Sequence, residues 1–226
     1  MMDSCFLFDI CNHRDCDKDF CIRKYKTNAL FDAALLSDKQ RNKLTLYLDN
    51  DQADLEAYSK LANLSQNISD FVNSGKNLYI HSIQCGNGKT SWAIRFIQNY
   101  LKVIWYKSDS FCKALFVSVP VFLNALKESI SSKNDYAEYI KQHVLEADLV
   151  VWDDIATKAG TEYEINQLLS FIDQRINLGK SNIYTSNLEN KDKMFVALGE
   201  RLTSRIYNYS IDIELHGADK RNLIIK

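Results

Sequence analysis

Gly86-Asn87-Gly88-Lys89-Thr90-Ser91 lies between two apolar stretches of different rhythm. Ahead of it, Leu78-Tyr79-Ile80-His81 is a short run of strand-forming residues, and behind it Trp92-Ala93-Ile94-Arg95-Phe96-Ile97 has the spacing of a helix face. Strand, glycine loop, Lys-Thr and helix is the context a phosphate-binding loop requires. Gly86 and Gly88 let consecutive backbone N–H groups turn towards an anion, and the helix start adds its positive pole. Lys89 is placed to reach the β- and γ-phosphates of ATP, the Thr90 hydroxyl to ligate magnesium, and Asn87 and Ser91 complete the loop. One position departs from the pattern G-x-x-x-x-G-K-[ST]: Ile83 stands where the first glycine is expected. A β-branched residue does not easily take positive φ, so the loop is expected to enter its turn differently. The plain alternative is a chance GNGKT on a surface turn; a second motif downstream argues against it.

That motif is Leu149-Val150-Val151-Trp152-Asp153-Asp154, a buried strand running into two acids. Asp153 is expected to hold the magnesium with its water shell, and Asp154 to polarise an attacking water, where glutamate is commoner. Ala114 to Val119, Asn182 to Thr185 and Ile211 to Leu215 read as further strands. Pro120 opens a helix, a second helix lies near 134–146, and Thr161-x-x-Glu164 is a capping box ahead of Ile165, Leu168, Leu169, Ile172 and Ile176 at helical spacing. Asn187 follows the fourth strand, where an amide can hold water or a γ-phosphate. Leu198 to Ile206 reads as a helix with Arg201 and Arg205 four apart on one face; a solvated face is the plain alternative.

Upstream, Leu55, Tyr58, Leu61, Leu64, Ile68 and Phe71 recur as in one helix beginning near Asp51, closed by Gly75. A helix near 27–36 and an alternating run from Leu44 to Leu48 precede it. Four of the six cysteines, Cys5, Cys11, Cys16 and Cys21, fall at the front with His13 among them. Thiolates clustered in so short a segment suggest tetrahedral zinc supplying its folding energy, with buried free thiols as the alternative. The organisation expected is a cysteine-rich module over 1–25, a linker over 26–50 and an ATPase domain over 51–226.

Bulk properties narrow the class. At 226 residues, 46% hydrophobic and 25% charged, the chain is of globular type, and a net charge of −1 gives no general basic footprint for duplex DNA. No apolar run approaches the ~20 residues of a membrane span. Asp3, Asp9 and Asp15 at the front are unlike a signal peptide, so a reducing cytoplasm is expected.

Taken together, the phosphate loop, the paired acids, Thr185-Ser186-Asn187, the stretch Gly199-Glu200-Arg201-Leu202-Thr203-Ser204-Arg205 and the ending Gly217-Ala218-Asp219-Lys220-Arg221 resemble AAA+ ATPases of the DnaC/DnaI helicase-loader type, over residues 40–226. The cysteine cluster and the GNGKTSWA stretch look most like versions encoded by bacteriophages or mobile elements. The resemblance implies an α/β fold with a parallel five-stranded sheet ordered 5-1-4-3-2, helices on both faces and no separate lid domain. It implies ATP and magnesium as cofactors. It also implies Asn187 as sensor 1, Arg205 as an arginine finger acting on a neighbouring subunit with Arg201 as runner-up, and Arg221 in a sensor-2-like part. Implied partners are a replicative hexameric helicase, met through the N-terminal module, further copies of the chain, and single-stranded DNA, for which Lys127, Lys133 and Lys141 are candidate contacts. A nucleotide-regulated binding module with weak turnover is the alternative that Ile83 and Asp154 favour. An IstB-like ATPase serving a transposase is a third, and it wants a basic surface that this net charge does not supply.

Overall fold

A computed structural model of the chain describes residues 7, 11, 21–42, 46, 53–107, 112–156 and 160–220. In chain order its elements are α1 (Ile22–Ala33), α2 (Asp38–Arg41), α3 (Leu55–Gln66), α4 (Ile68–Asn73), β1 (Asn77–His81), α5 (Lys89–Ile104), β2 (Ala114–Ser118), α6 (Val119–Glu128), α7 (Asp135–His143), β3 (Leu149–Asp153), α8 (Glu162–Asn177), β4 (Ser181–Ser186), α9 (Lys191–Asn208) and β5 (Ser210–Glu214). No helix among the described residues is long and apolar enough to cross a membrane.

The strands form one all-parallel sheet ordered β2-β3-β4-β1-β5, the order expected. Parallel neighbours need crossover helices, which cover both faces, so the inner strands carry near-continuous apolar runs. Every residue of β1, β3 and β4 is buried. Alternate residues then feed opposite cores. Leu78, Ile80, Val151 and Ile183 pack with Phe96, Ile97 and Leu101 of α5 on one face. Tyr79, Val150, Trp152 and Tyr184 pack with Phe122, Ile172 and Leu202 on the other. β5 is an edge strand, with Ile213 its one buried residue.

Three helices differ from their sequence pattern. The apolar spacing over 51–74 predicts one helix, but Asn67 (φ −97°, ψ 36°) leaves the helical region and ends α3 before α4 begins. Hydrophobic spacing survives such a break because both pieces pack on the same core. α1 begins at Ile22 rather than near 27, capped by the Cys21 sulfur, which accepts from the Lys24 amide at 3.5 Å. Its Leu30, Phe31 and Ala33 are buried, and Ala33 O accepts from Tyr139 Oη at 2.7 Å. In α9 the helix expected from Leu198 starts at Lys191 and is interrupted at Gly199 (φ +77°, ψ 167°), so that the two arginines ride on its second half. The run from Leu44 to Leu48 lies outside the described residues except for Leu46.

At the end of the sheet away from the Lys-Thr loop, Arg175 is wholly buried. Its guanidinium donates to Val144 O at 2.5 Å, Ala147 O at 2.8 Å, Ser181 O at 2.6 Å and Asn182 Oδ1 at 2.7 Å. One side chain thereby satisfies three backbone carbonyls, two from the α7–β3 connection and one at the start of β4, together with a side-chain amide oxygen.

Candidate functional site

The loop from Ser82 to Gly88 joins β1 to α5 at the C-terminal ends of the parallel strands, where such sheets place ligand sites. Positive φ in the loop falls at Gly86 (+74°) and Gly88 (+107°), whereas Ile83 is exposed and keeps negative φ. The departure at Ile83 is therefore met without backbone strain. Gly88 has a second reason to lack a side chain, since a Cβ there would come within 3.2 Å of Tyr58 Oη. Asn87 is buried and donates through Nδ2 to Ser82 Oγ at 2.6 Å. The Lys89 ammonium lies within its own loop, 2.7 Å from Gln84 O, 3.2 Å from Asn87 Oδ1 and 3.5 Å from Ser82 O. Ser91 sits half-buried in the first turn of α5.

The two expected magnesium-binding side chains meet: Thr90 Oγ1 donates to Asp153 Oδ1 at 2.9 Å, from α5 to the tip of β3. The same carboxylate oxygen accepts from Thr185 Oγ1 at 2.7 Å. Burial pushes the Asp153 carboxyl up to about 6, with the charge of Asp154 adding to it and the Thr185 and Thr90 hydroxyls and Lys89 opposing. A hydroxyl beside a buried carboxylate is a donor set that suits magnesium.

Thr185 escaped the sequence reading. Its Oγ1 also accepts from the Asp154 amide at 2.9 Å, and its carbonyl accepts from the Ile155 amide at 2.9 Å. It thus fixes the turn after β3, in which Asp154 (φ +57°) and Ala156 (φ +68°) take left-handed conformations. The signal that could have found it was the strand order, which sets the end of β4 beside the end of β3 and so a threonine beside the acids. Asp154 borders a cavity of about 190 Å³ between α6 and α8, lined by Val119, Leu123, Ala156, Ile165 and Leu168. Asn187 is half-buried just beyond β4, whose tip receives Ser82 N at Ser186 O, 3.2 Å.

The remaining candidates are spread around this centre. Arg205 Nε is ion-paired with Asp173 of α8, and its guanidinium lies 5.8 Å from the Tyr209 ring centroid. Arg201, one turn earlier, is exposed. Arg221 lies outside the described residues. Lys127 is held by Glu164 at 2.9 Å, Lys133 by Asp135 at 3.3 Å and Lys141 by Glu138 at 2.9 Å. Glu164 also closes the capping box with Thr161, accepting from its amide at 2.7 Å. Burial alone would raise the Glu164 carboxyl, but Lys127 and Thr161 outweigh it and hold the group at about 2.

The zinc expectation finds no support among the described residues, in which no three His, Cys, Asp or Glu side chains gather as a metal site. Cys5, Cys16 and His13 lie outside the described residues. Cys11 is half-buried, and the Cys21 sulfur serves as a helix cap.

No protein-family model matches the sequence, and no curated relative does. Solved structures do share its fold. A structure of the DnaC helicase loader superposes with a TM-score of 0.53 at 23% identity, over 68% of this chain and 92% of that one. DnaI gives 0.60 at 18% identity, over 80% and 95%. The replication initiator DnaA bound to AMPPCP and single-stranded DNA gives 0.60 at 19% identity, over 80% of this chain and 52% of that one. A five-stranded parallel sheet in the order β2-β3-β4-β1-β5, with a Lys-Thr loop after β1 and paired acids at the end of β3, gives this chain the AAA+ fold, and the DnaC and DnaI helicase loaders and DnaA are among its structural neighbours.

Proposed function

We propose that the chain is an ATP-dependent helicase loader, which binds ATP with magnesium, assembles on a replicative hexameric helicase and helps place it on single-stranded DNA. The observation that carries the nucleotide reading is the 2.9 Å contact between Thr90 Oγ1 and Asp153 Oδ1, which joins the two motifs at one point. The loader reading adds to this the likeness of fold to DnaC and DnaI.

In this reading Asn87 and Gly88 offer backbone N–H groups to the phosphates. Lys89 exchanges the oxygens of Gln84, Asn87 and Ser82 for phosphate oxygens, so its charge is already at the site and already desolvated. Thr90 and Asp153 would hold magnesium, which when bound neutralises charge developing on the phosphates. Asp154 orients and deprotonates the attacking water, and Asn187 holds that water or the γ-phosphate. Arg205, resting on Asp173, reaches a neighbouring subunit's nucleotide on assembly, so hydrolysis needs the oligomer.

A second reading, a nucleotide-regulated binding module with weak turnover, draws on Asp154. It is a short acid in a left-handed conformation at the rim of an apolar cavity.

Titration with a fluorescent ATP analogue tests the site: Lys89→Ala is expected to lose binding, and parental affinity would sink the assignment. A pull-down from bacterial extract with ATP tests the class, recovery of a hexameric helicase being the expected result. Turnover measured with that helicase and single-stranded DNA, for the parent and for Asp154→Asn, separates the two readings. A loader binds ATP in both and loses hydrolysis in the variant, whereas a binding module is as slow in the parent.

A further inference from the structure

Three segments distant in sequence meet behind the phosphate loop: the start of α3, the loop itself and residues 215–220. Asp54 stands at the N-cap of α3, where a carboxylate ordinarily accepts from first-turn amides. Its side chain makes no such bond. It accepts instead from His216 N at 2.6 Å and Gly217 N at 3.0 Å, and lies 3.5 Å from Lys220 Nζ. Asp54 is 1% exposed and Lys220 6%. Lys220 Nζ donates to Tyr58 Oη at 2.8 Å and lies 4.5 Å from the ring centroid.

This cluster grips the loop by its carbonyls. Lys220 N donates to Gly86 O at 2.9 Å, and Tyr58 Oη donates to Asn87 O at 3.4 Å. Asn87 Nδ2 reaches Leu215 O at 3.4 Å, and Leu215 N donates to His81 O at 2.9 Å. In a planar trans peptide the carbonyl of one residue and the N–H of the next point in opposite directions. Fixing Gly86 O towards residues 215–220, the strap, and Asn87 O towards Tyr58 of α3 therefore turns the N–H groups of Asn87 and Gly88 the other way. Burying an ammonium and a carboxylate costs several kcal/mol each, and apolar residues of similar size commonly stabilise as well. What this ionic cluster adds is a defined position for two peptide planes.

We propose that Lys220 is a positioning residue for the phosphate loop. Docked on Asp54 and Tyr58, it fixes the strap that turns the Asn87 amide and the tyrosine that turns the Gly88 amide towards the anion, and strap docking and nucleotide binding favour each other. The inference rests on the reading of this loop as the ATP site. Reciprocity follows: what the strap does for nucleotide affinity, nucleotide does for strap docking.

The test uses the full chain and a non-hydrolysable ATP analogue. Lys220→Met and Tyr58→Phe should each weaken binding about tenfold, or 1.4 kcal/mol. Tyr58→Phe removes one hydroxyl and leaves the ring in place, so it remains informative where Lys220→Met folds poorly. Hydrogen exchange at the His216 and Gly217 amides should slow on adding the analogue to the parent, and this protection should be lost in either variant. A role confined to stability would not make that exchange follow nucleotide. Binding within twofold of the parent in both variants, or exchange indifferent to nucleotide in the parent, overturns the proposal. Lys89→Ala is the control. If it binds like the parent, the ATP-site reading itself fails; if it loses binding while both other variants keep theirs, that reading stands and the positioning role falls.

Discussion

Replacing Thr185 by valine tests the centre of the site, because it exchanges one hydroxyl for a methyl group and keeps the branched shape. Thr185 is wholly buried and its Oγ1 makes two bonds, donating to the Asp153 carboxylate at 2.7 Å and accepting from the Asp154 amide at 2.9 Å. A hydrogen bond to a charged group contributes about 1.5–3 kcal/mol, and orphaning a buried amide costs about 1–3 kcal/mol. Those bonds also hold Asp154 at φ +57°, a conformation that costs a non-glycine residue on the order of 1 kcal/mol. Partial relaxation of the turn recovers some of this, so a net loss of about 2–4 kcal/mol is expected. For a domain of this size that lowers the melting temperature by about 4–16 °C. Thermal melts near neutral pH with EDTA read the stability. Turnover with magnesium reads the chemistry, which should fall at least about tenfold while ATP affinity changes little. Thr185→Ser keeps the hydroxyl and should stay close to the parent in turnover. If Thr185→Val melts within about one degree of the parent and hydrolyses ATP at the same rate, the hydroxyl does not organise the two acids.

Glu164→Gln should cost about 1 kcal/mol through the weakened cap and leave Lys127 without its partner. Because the folded carboxyl is held at about 2, below its ordinary 4.5, its stabilisation is complete above 4.5 and lost as pH falls towards 2. The variant should show a shallower acid limb in melts taken across that window. Arg205→Ala should bind ATP normally and lose hydrolysis, and mixing it with Lys89→Ala chains should restore part of it. Recovery by Arg201→Ala in the same mixture, and not by Arg205→Ala, would transfer the role to Arg201.

The fold was largely legible because a parallel sheet writes its strands as separate apolar runs, and each run here ends at a motif or a cap. The Lys-Thr loop and the paired acids could be placed at the ends of strands because their patterns are local in sequence. What escaped is long-range or conformational. Asn67 divides α3 from α4 by leaving helical dihedrals while the apolar spacing continues across it. Thr185 looks like an ordinary strand threonine until β4 is set beside β3. Asp54 carries no local signal, because the amides it binds lie some 160 residues away and come beside it only in the fold. Lys127 stands in the sequence as an isolated charge, and only the fold brings the buried Glu164 to its ammonium.

The place of β1 in the sheet also sets when the site can exist. Its neighbours are β4 and β5, pairing Asn77 with Asn182 and Ser210, so both partners are made long after it. At a synthesis rate of about 5–20 residues per second, β1 waits about 5–20 s for β4 and longer for β5. Through that interval both of its edges are open, and the run Leu78-Tyr79-Ile80 is the kind of segment that pairs with whatever strand it meets. Such high contact order makes for slow folding, and it leaves nascent chains cut short before residue 210 with a bare strand at the heart of the molecule. The bond that Gly86 O accepts from Lys220 N and the one that Asn87 Nδ2 donates to Leu215 O form later still. The loop from Ser82 to Gly88 is therefore translated well before the residues that hold it, and its conformation is complete only once the chain has folded through to residues 215–220.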